Sequence, residues 1–251
     1  MDDKGTLDKI QGIFVLPRHD YNITRQMLKL ITNFIFPKIC LICGSERKYL
    51  CNKCIHLLKK PEFKCFRCDR KNPFGLYCAI CKNPLLPNRI IAAFAYEGQL
   101  KEIIHQYKYE DAYILSKDLA RGLFPIVKKL ENYRSYSLTF IPLSLPKIRS
   151  RGYNQAKLLA DEVGKKLKLE IVDLMERLPQ DETQVISQTK AARKKNIRGT
   201  FKIKKTAEVP EKIILIDDVV TTGATAEEAT KILKKAGAKK VIVIALAMGA
   251  A

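Results

Sequence analysis

Eight cysteines constrain this chain more than any other feature, because all of them lie between residues 40 and 81 of a 251-residue sequence. A CxxC turn places two sulfurs on one side of a knuckle, and two knuckles complete a tetrahedron of thiolates around Zn²⁺ at about 2.3 Å. Four consecutive pairs therefore predict two closed, structural zinc sites instead of disulfides or a redox pair. The pairs are Cys40 and Cys43, Cys51 and Cys54, Cys65 and Cys68, and Cys78 and Cys81.

The sequence leaves two ways of combining these knuckles open. Sequential sites join the first pair to the second and the third to the fourth, across loops of seven and nine residues. In a cross-braced arrangement the first and third pairs share one metal, and the same chemistry is satisfied. We prefer sequential sites because their loops are short.

Composition predicts a soluble, cytoplasmic protein. Apolar residues make up 47% of the chain, and no apolar run approaches the ~20 residues that a membrane helix needs. The start, Met1-Asp2-Asp3-Lys4, lacks the basic start and apolar core of a signal peptide. Two prolines in residues 82–88 mark a linker. We therefore expect an N-terminal extension (1–29), a small zinc module (30–83) and a larger domain (90–251).

The positive charge is concentrated in two segments. Of a formal net charge of +20, residues 38–82 contribute eleven basic and three acidic residues, and Lys190 to Lys205 eight basic and no acidic ones. This concentration favours polyanionic partners, although an anionic membrane surface or a merely lysine-rich exterior is also compatible with it. Single-stranded DNA is the predicted partner, since aromatic residues that interleave with the charges can stack on bases, unless they form the module's core. They are Tyr49, Phe63, Phe66, Phe74 and Tyr77.

Beyond residue 88 the chain alternates strand-like and helix-like stretches. Such alternation predicts an α/β fold, Rossmann-like, with a mostly parallel sheet covered by helices. The predicted strands are Ile90–Tyr96, Leu138–Pro142, Lys212–Asp217 and Lys240–Leu246. The predicted helices are Leu100–Tyr107, Ile114–Lys129, Asn154–Leu167 and Ala224–Ala236.

The end of the third predicted strand carries the clearest site. Two carboxylates, Asp217 and Asp218, follow an aliphatic strand and precede the hydroxyl-rich loop Thr221–Thr225, which opens a helix. Loop N–H groups, threonine hydroxyls and the helix N-terminus can surround a phosphate, whereas the carboxylates suit sugar hydroxyls or Mg²⁺. The pattern predicts a ribose phosphate ligand. A plain strand-to-helix turn with a threonine cap would explain only one aspartate and one threonine.

This loop resembles the phosphoribosyl pyrophosphate (PRPP) signature of type I phosphoribosyltransferases. In motif order, from about Phe36 to Ile244, the chain as a whole resembles the ComF family, phosphoribosyltransferase-like proteins linked to natural competence and the use of DNA as a nutrient. The further residues that carry the likeness are Phe36-Pro37, the cysteine pairs, Tyr96-Glu97-Gly98, Lys108-Tyr109, Arg151 to Gln155, and Arg193, Asn196, Gly199 and Phe201.

The resemblance implies a double zinc ribbon before a type I phosphoribosyltransferase-like domain, with Mg²⁺ bound alongside PRPP. It implies that the basic loop Leu143 to Gly152 faces pyrophosphate, with Arg149 and Arg151 as contacts and Lys108 as a further anion contact. Asp217 and Asp218 would also be the catalytic carboxylates. The implied PRPP site at the strand end comprises Asp217, Asp218, Val219, Val220, Thr221, Thr222, Gly223, Ala224 and Thr225.

Several functions remain compatible with these features. The resemblance implies a role in DNA uptake or utilisation, with single-stranded DNA and proteins of the uptake machinery as partners. An active phosphoribosyltransferase of nucleotide salvage, unrelated to competence, has the same parts; its acceptor base is undetermined, and the zinc module would cover its site. A third candidate is a regulator that senses PRPP without turnover.

Overall fold

The computed structural model describes residues 38–72, 75–109, 112–179 and 197–249. Outside the described residues lie the N-terminal extension, Phe36-Pro37, Phe74, and the basic and motif residues from Lys190 to Asn196. The elements are α1 (Asn52–Leu57), β1 (Arg89–Ala95), α2 (Gly98–Tyr109), α3 (Ser116–Ala120), α4 (Phe124–Lys128), β2 (Ser137–Phe140), α5 (Leu145–Arg151), α6 (Gln155–Leu167), β3 (Met175–Arg177), β4 (Phe201–Ile203), β5 (Lys212–Val220), α7 (Ala224–Lys235) and β6 (Lys240–Met248).

Four of the strands form one parallel sheet in the order β1-β6-β5-β2. The aliphatic runs Ile213–Ile216 and Val241–Ala247 are almost fully excluded from water. A parallel sheet is covered on both faces, which explains why its central strands are nearly continuous in apolar residues instead of alternating. The predicted α/β class is confirmed, and all four predicted strands are present.

Strand β5 extends three residues beyond its predicted end. Asp217 and Val220 still pair with Ala245 and Met248 of β6, because β6 is itself longer than predicted. The two carboxylates therefore belong to the strand and do not follow it. A rigid ladder, rather than a loop, sets the position of both side chains.

The helix predicted over Ile114–Lys129 is wrong as a single element. The structure has a short 3₁₀ turn, Tyr113–Leu115, followed by α3 and α4. Two residues explain the break: Gly122 lies against the ring of Phe94, and Pro125 in the first turn of α4 lacks the N–H that a continuous helix requires. Across the described ranges, no helix combines the length and apolar character needed to cross a bilayer.

The basic stretch predicted as a loop after β2 is mostly a helix. Helix α5 covers Leu145–Arg151, with Pro146 in its first turn, where a missing N–H has no cost. Gly152 ends it with a φ of 72°, a left-handed conformation that favours glycine. A short antiparallel pair of strands, β3 and β4, which the sequence did not predict, follows later in the chain.

The zinc module packs directly on the larger domain. Leu50, Cys54 and Ile55 share one hydrophobic core with β1 and α2, and Phe66 and Tyr77 share another with β5 and α7. The linker is tied down too, since Asn88 and Val241 exchange hydrogen bonds of 2.8 and 2.9 Å. The domain boundaries remain a prediction, but the two parts bury apolar surface against each other.

Candidate functional site

The cysteines gather in two groups of four, and the grouping follows the sequential pairing. The eight sulfurs divide into a first cluster and a second cluster, and within each cluster all four lie within 4.8 Å of one another. Sulfurs of Cys43 and Cys51 are 3.8 Å apart, and those of Cys68 and Cys78 are 3.5 Å apart. The first cluster is Cys40, Cys43, Cys51 and Cys54; the second is Cys65, Cys68, Cys78 and Cys81.

The donor chemistry of both clusters fits a metal ion. Four thiolates about 2.3 Å from Zn²⁺ sit roughly 3.8 Å apart in a tetrahedron, close to the sulfur separations found here. The N–H of Cys54 donates to the sulfur of Cys51 at 3.4 Å and lowers the pKa of Cys51 to about 6. Such a thiol is already largely ionised at neutral pH, as metal binding requires.

The first cluster is attached to helix α3 by polar contacts. The Asp118 carboxylate accepts hydrogen bonds from the N–H groups of Tyr49 and Leu50, at 2.8 and 3.4 Å. Arg121 donates to the carbonyl oxygen of Leu50 at 2.7 Å and pairs with Asp118 at 3.4 Å. These contacts hold the loop between two cysteine pairs against the domain.

The second cluster reaches the predicted phosphate loop itself. Phe66, inside the third CxxC pair, lies so close to Gly223 that a β-carbon there would come within 2.8 Å of the ring. Arg67, the next residue, pairs with Glu227 at 3.6 Å, and the Tyr77 hydroxyl donates to Glu227 at 3.0 Å. Both residues between Cys65 and Cys68 therefore contact the start of α7.

The carboxylate pair is buried and held by the backbone. The N–H of Asp218 donates to Asp217 at 2.8 Å, and the N–H of Val219 donates to Asp218 at 2.7 Å. Burial and the adjacent charge of Asp218 raise the pKa of Asp217 well above its usual range. Burial would also raise the pKa of Asp218, but the Lys108 ammonium, 2.7 Å away, holds it below its usual range.

The predicted phosphate loop is a sharp bend between β5 and α7. Gly223 adopts a φ of 74° directly before the first helical residue, Ala224, and Thr222 is buried, its hydroxyl accepting from the Ala224 N–H at 3.4 Å. The following N–H groups open a 12-residue helix. Helix N-termini of this kind favour phosphate through unpaired N–H groups and the helix dipole.

Cations gather on the β2 side of the carboxylates. Burial, together with the charges of Arg177 and Arg151, lowers the pKa of Lys147, as expected for cations that crowd one another. Arg151 also donates to Gln155 and Tyr109, at 3.3 and 3.0 Å, while Arg149 is exposed. We call Lys147, Arg151 and Arg177 the cation cluster.

Sequence reasoning missed Arg177. It lies on β3, and its guanidinium is 5.4 Å from the centre of the Phe201 ring. Burial lowers the pKa of Arg177, and the charge of Asp217 partly opposes this shift. The strand pair that positions it is only three residues long on each side. A strand of three residues is too short to show the periodic pattern of apolar residues from which strands are predicted.

A cleft of about 540 Å³ lies between the zinc module and the ends of β1 and β6. Phe66 and Lys64 line one wall, and Tyr96, Thr221 and Gly249 line the other. It shares Thr221 with the phosphate loop. We call it the interface cleft.

Residues 148–251 match the phosphoribosyl transferase domain family. Among the curated relatives, Competence protein ComFC of Streptococcus pneumoniae is 29% identical, covering 80% of this chain and 96% of its own length. Competence protein F of Haemophilus influenzae is 28% identical over 83% of this chain and 96% of its own length. DNA utilization protein YhgH of Escherichia coli is 25% identical over 81% and 87%.

The fold and the match define a phosphoribosyltransferase-like domain, preceded by two four-cysteine clusters. The ordered motifs, the domain match and the relatives, which align over most of their own length, support assignment of the chain to the ComF family.

Proposed function

We propose that this chain binds PRPP together with Mg²⁺ at the carboxyl edge of its sheet, and that it acts in DNA uptake or utilisation, where it contacts single-stranded DNA. One observation carries the first part. One buried carboxylate, Asp217, and one partly buried carboxylate, Asp218, stand on β5 between a helix N-terminus and a cluster of cations. Ligands of open parallel sheets bind at this edge.

The proposed ligand has three parts that match three neighbouring environments. The 5′-phosphate would bind at residues 221–225, where N–H groups and hydroxyls meet the helix dipole. The ribose hydroxyls would bind Asp217 and Asp218. The pyrophosphate would bind the cation cluster, where guanidinium groups can grip phosphate oxygens in pairs. PRPP has a phosphate at one end, a pyrophosphate at the other and uncharged hydroxyls between them, so groups that bind anions at both ends and carboxylates in the middle complement it.

Lys108 provides a positive charge that can contact either Asp218 or a bound phosphate. Burial disfavours its ammonium form, but the Asp218 carboxylate at 2.7 Å raises its pKa above the usual value. Lys108 therefore stays protonated, and it can exchange a contact with Asp218 for one with a phosphate. Asp218 is then free for a ribose hydroxyl.

These residues could support transfer of the phosphoribosyl group without a protein nucleophile. Orientation by the carboxylates and phosphate loop aligns the sugar, and the cation cluster stabilises charge that develops on the leaving pyrophosphate. Mg²⁺ bound with PRPP adds further neutralisation of that charge. Phe66, 2.8 Å from where a Gly223 β-carbon would lie, supports the hypothesis that the zinc module covers the site.

The test is calorimetric titration of the zinc-loaded protein with PRPP and Mg²⁺. The double variant Asp217→Asn/Asp218→Asn should lose binding, while Asp161→Asn/Asp173→Asn, which removes two exposed carboxylates, should bind as the wild type does. Absence of PRPP binding in the intact protein would overturn the proposal. Pyrophosphate release with candidate bases then separates an enzyme from a sensor.

Zinc at both clusters is part of the proposal. Metal analysis of the purified protein should find two equivalents, and a Cys43→Ser/Cys68→Ser variant should lose both. A protein that folds fully with no bound metal would contradict it.

The DNA role draws on the relatives, whose names include competence proteins and a DNA utilization protein. The chain's net charge of +20 is consistent with a polyanionic partner. Part of that charge is already paired, however: Lys202 and Lys204 contact Glu176 and Asp173 at 3.1 and 2.6 Å. Phe66 and Tyr77 are buried, so they serve as core in the zinc module and not as stacking platforms.

Fluorescence anisotropy with a labelled single-stranded oligonucleotide tests this part. Binding should weaken steeply as salt rises, because phosphate contacts release counterions. A salt-insensitive isotherm, or no binding, would contradict DNA contact and leave the PRPP proposal standing.

A further inference from the structure

Helix α5 lies on the surface and buries none of its residues. Its apolar side chains face water: Leu145 is 59% exposed and Ile148 is 36% exposed. Its charges, from Lys147, Arg149 and Arg151, are all positive. A helix usually buries an apolar stripe, so one that buries nothing presents that stripe to something outside the described residues.

Two tyrosines flank this helix. Tyr109 is 59% exposed and Tyr113 is 61% exposed. The Arg151 guanidinium lies 4.6 Å from the centre of the Tyr109 ring and donates to its hydroxyl at 3.0 Å. Tyr113 meets the ring of Tyr153 edge-on at 6.2 Å. Both exposed rings are therefore fixed to the same turn, at the end of α5.

The distribution of aromatic residues makes this surface distinctive. Among the described residues, Tyr109 and Tyr113 are the only tyrosine or phenylalanine side chains that are exposed. In the zinc module Phe66 and Tyr77 are buried, and Tyr49 and Phe63 are half-buried. The part of the zinc module that the structure describes offers positive charge with little accessible ring surface, whereas α5 and its neighbours offer both.

We propose that Tyr109, Tyr113 and helix α5 form the surface that binds single-stranded DNA, with bases stacked on the tyrosine rings and phosphates held by Arg149, the exposed α5 cation that lies outside the cation cluster. Every base has a face that can stack, so such a platform tolerates sequence. A duplex keeps its bases stacked on each other and cannot use the rings. The inference rests on the proposed DNA contact and gives it a location outside the zinc module.

The experiment compares four variants by anisotropy with a labelled single-stranded oligonucleotide at fixed salt. Tyr109→Ala/Tyr113→Ala should bind at least roughly tenfold more weakly, because stacking contributes about 1–3 kcal/mol per base. Tyr109→Phe/Tyr113→Phe keeps both rings and should bind as the wild type does. Tyr133→Ala is the control, since Tyr133 also lies beside an arginine but precedes β2, whereas α5 follows the other end of that strand. Arg70→Ala/Lys71→Ala removes exposed charge from the zinc module.

The outcomes separate this inference from the proposed function. Loss in the double alanine variant, with rescue by phenylalanine and little loss in the other two, supports the surface. A loss confined to Arg70→Ala/Lys71→Ala would overturn it and place the DNA on the zinc module. No binding by the wild type would overturn the DNA contact altogether. Melting temperatures of all variants check that each remains folded; the exposure of both tyrosines predicts that they do.

Discussion

At the scale of single residues, Asp217 shows how a side chain in a proposed binding site can destabilise the folded protein. It is 6% exposed and lies beside a second carboxylate, so its charged form is costly and its pKa is raised. A carboxylate kept in a buried strand at such a cost is a candidate functional residue.

Asp217→Asn should therefore stabilise the protein while it abolishes PRPP binding. Because the folded state holds the Asp217 proton more tightly than the unfolded state does, wild-type stability falls as pH rises above about 4. The asparagine variant lacks this loss, so its advantage in stability over the wild type should grow as pH rises from 4.5 to 7.5. Urea unfolding between pH 4.5 and 7.5 measures it. An advantage that shrinks with rising pH would contradict the assigned shift.

For the ion pair of Lys108 and Asp218 we expect the opposite effect: substitution of Lys108 should destabilise the folded protein. Both side chains are mostly buried, at 18% and 16% exposure, so Lys108→Met should cost about 3 kcal/mol by leaving an unpaired buried carboxylate. Adding Asp218→Asn should recover most of that loss.

The exposed pair of Lys157 and Asp161, at 2.9 Å, provides the comparison. Lys157→Met should change the free energy of unfolding by no more than about 0.5 kcal/mol. For the buried pair, the changes in the free energy of unfolding of Lys108→Met and Asp218→Asn should not simply add in the double variant. If they do add, the two residues are not coupled in the folded protein.

At the scale of elements, the third CxxC pair links a proposed metal site to the proposed phosphate loop. Phe66 and Arg67 sit between two thiolates and contact Gly223 and the first turn of α7. The first cluster instead contacts α3 through Asp118. The two clusters are chemically alike, but only the second touches the phosphate loop.

Cys68→Ser should consequently weaken PRPP binding by roughly tenfold, and Cys43→Ser much less. Both cysteines are exposed, which makes them a matched pair. By reciprocity, saturating PRPP should slow chelator-driven zinc release from the second cluster and leave the first unchanged. Equal effects of PRPP on both clusters would argue against this local coupling.

The elements also show what the sequence could predict. Aliphatic runs in β5 and β6 and the caps of α6 and α7 are strong local signals, so these elements lie where expected. The CxxC spacing likewise predicted the cysteine groups. Helix α5 was missed because proline and serine around its start suggest a loop, and Arg177 was missed because its three-residue strand depends on pairing with a distant segment. The zinc ligands and the residues of the PRPP site stay predictions until ligands are bound.

At the scale of the whole molecule, the two parts share their cores. Leu50, Cys54 and Phe66 pack into clusters that include strands of the sheet, so the small module contributes to the stability of the large domain.

Calorimetry should therefore show one unfolding transition for the zinc-loaded chain. A strong chelator should lower its midpoint as a whole, because binding energy at a structural zinc site is also folding energy. Two separate peaks would mean that the parts fold independently. Zinc-loaded protein reconstituted after chelation is the control for reversibility.

Strand order has a consequence for how the chain is made. Strand β6 lies between β1 and β5 but follows both in the sequence. During synthesis the cysteine knuckles and β1 emerge early, whereas β1 acquires its neighbour only when residues 240–248 have left the ribosome. Until then β1 carries an unpaired edge and uncovered apolar faces, which invite association with other nascent chains. Early capture of metal by the knuckles would give that waiting strand its first folded neighbour.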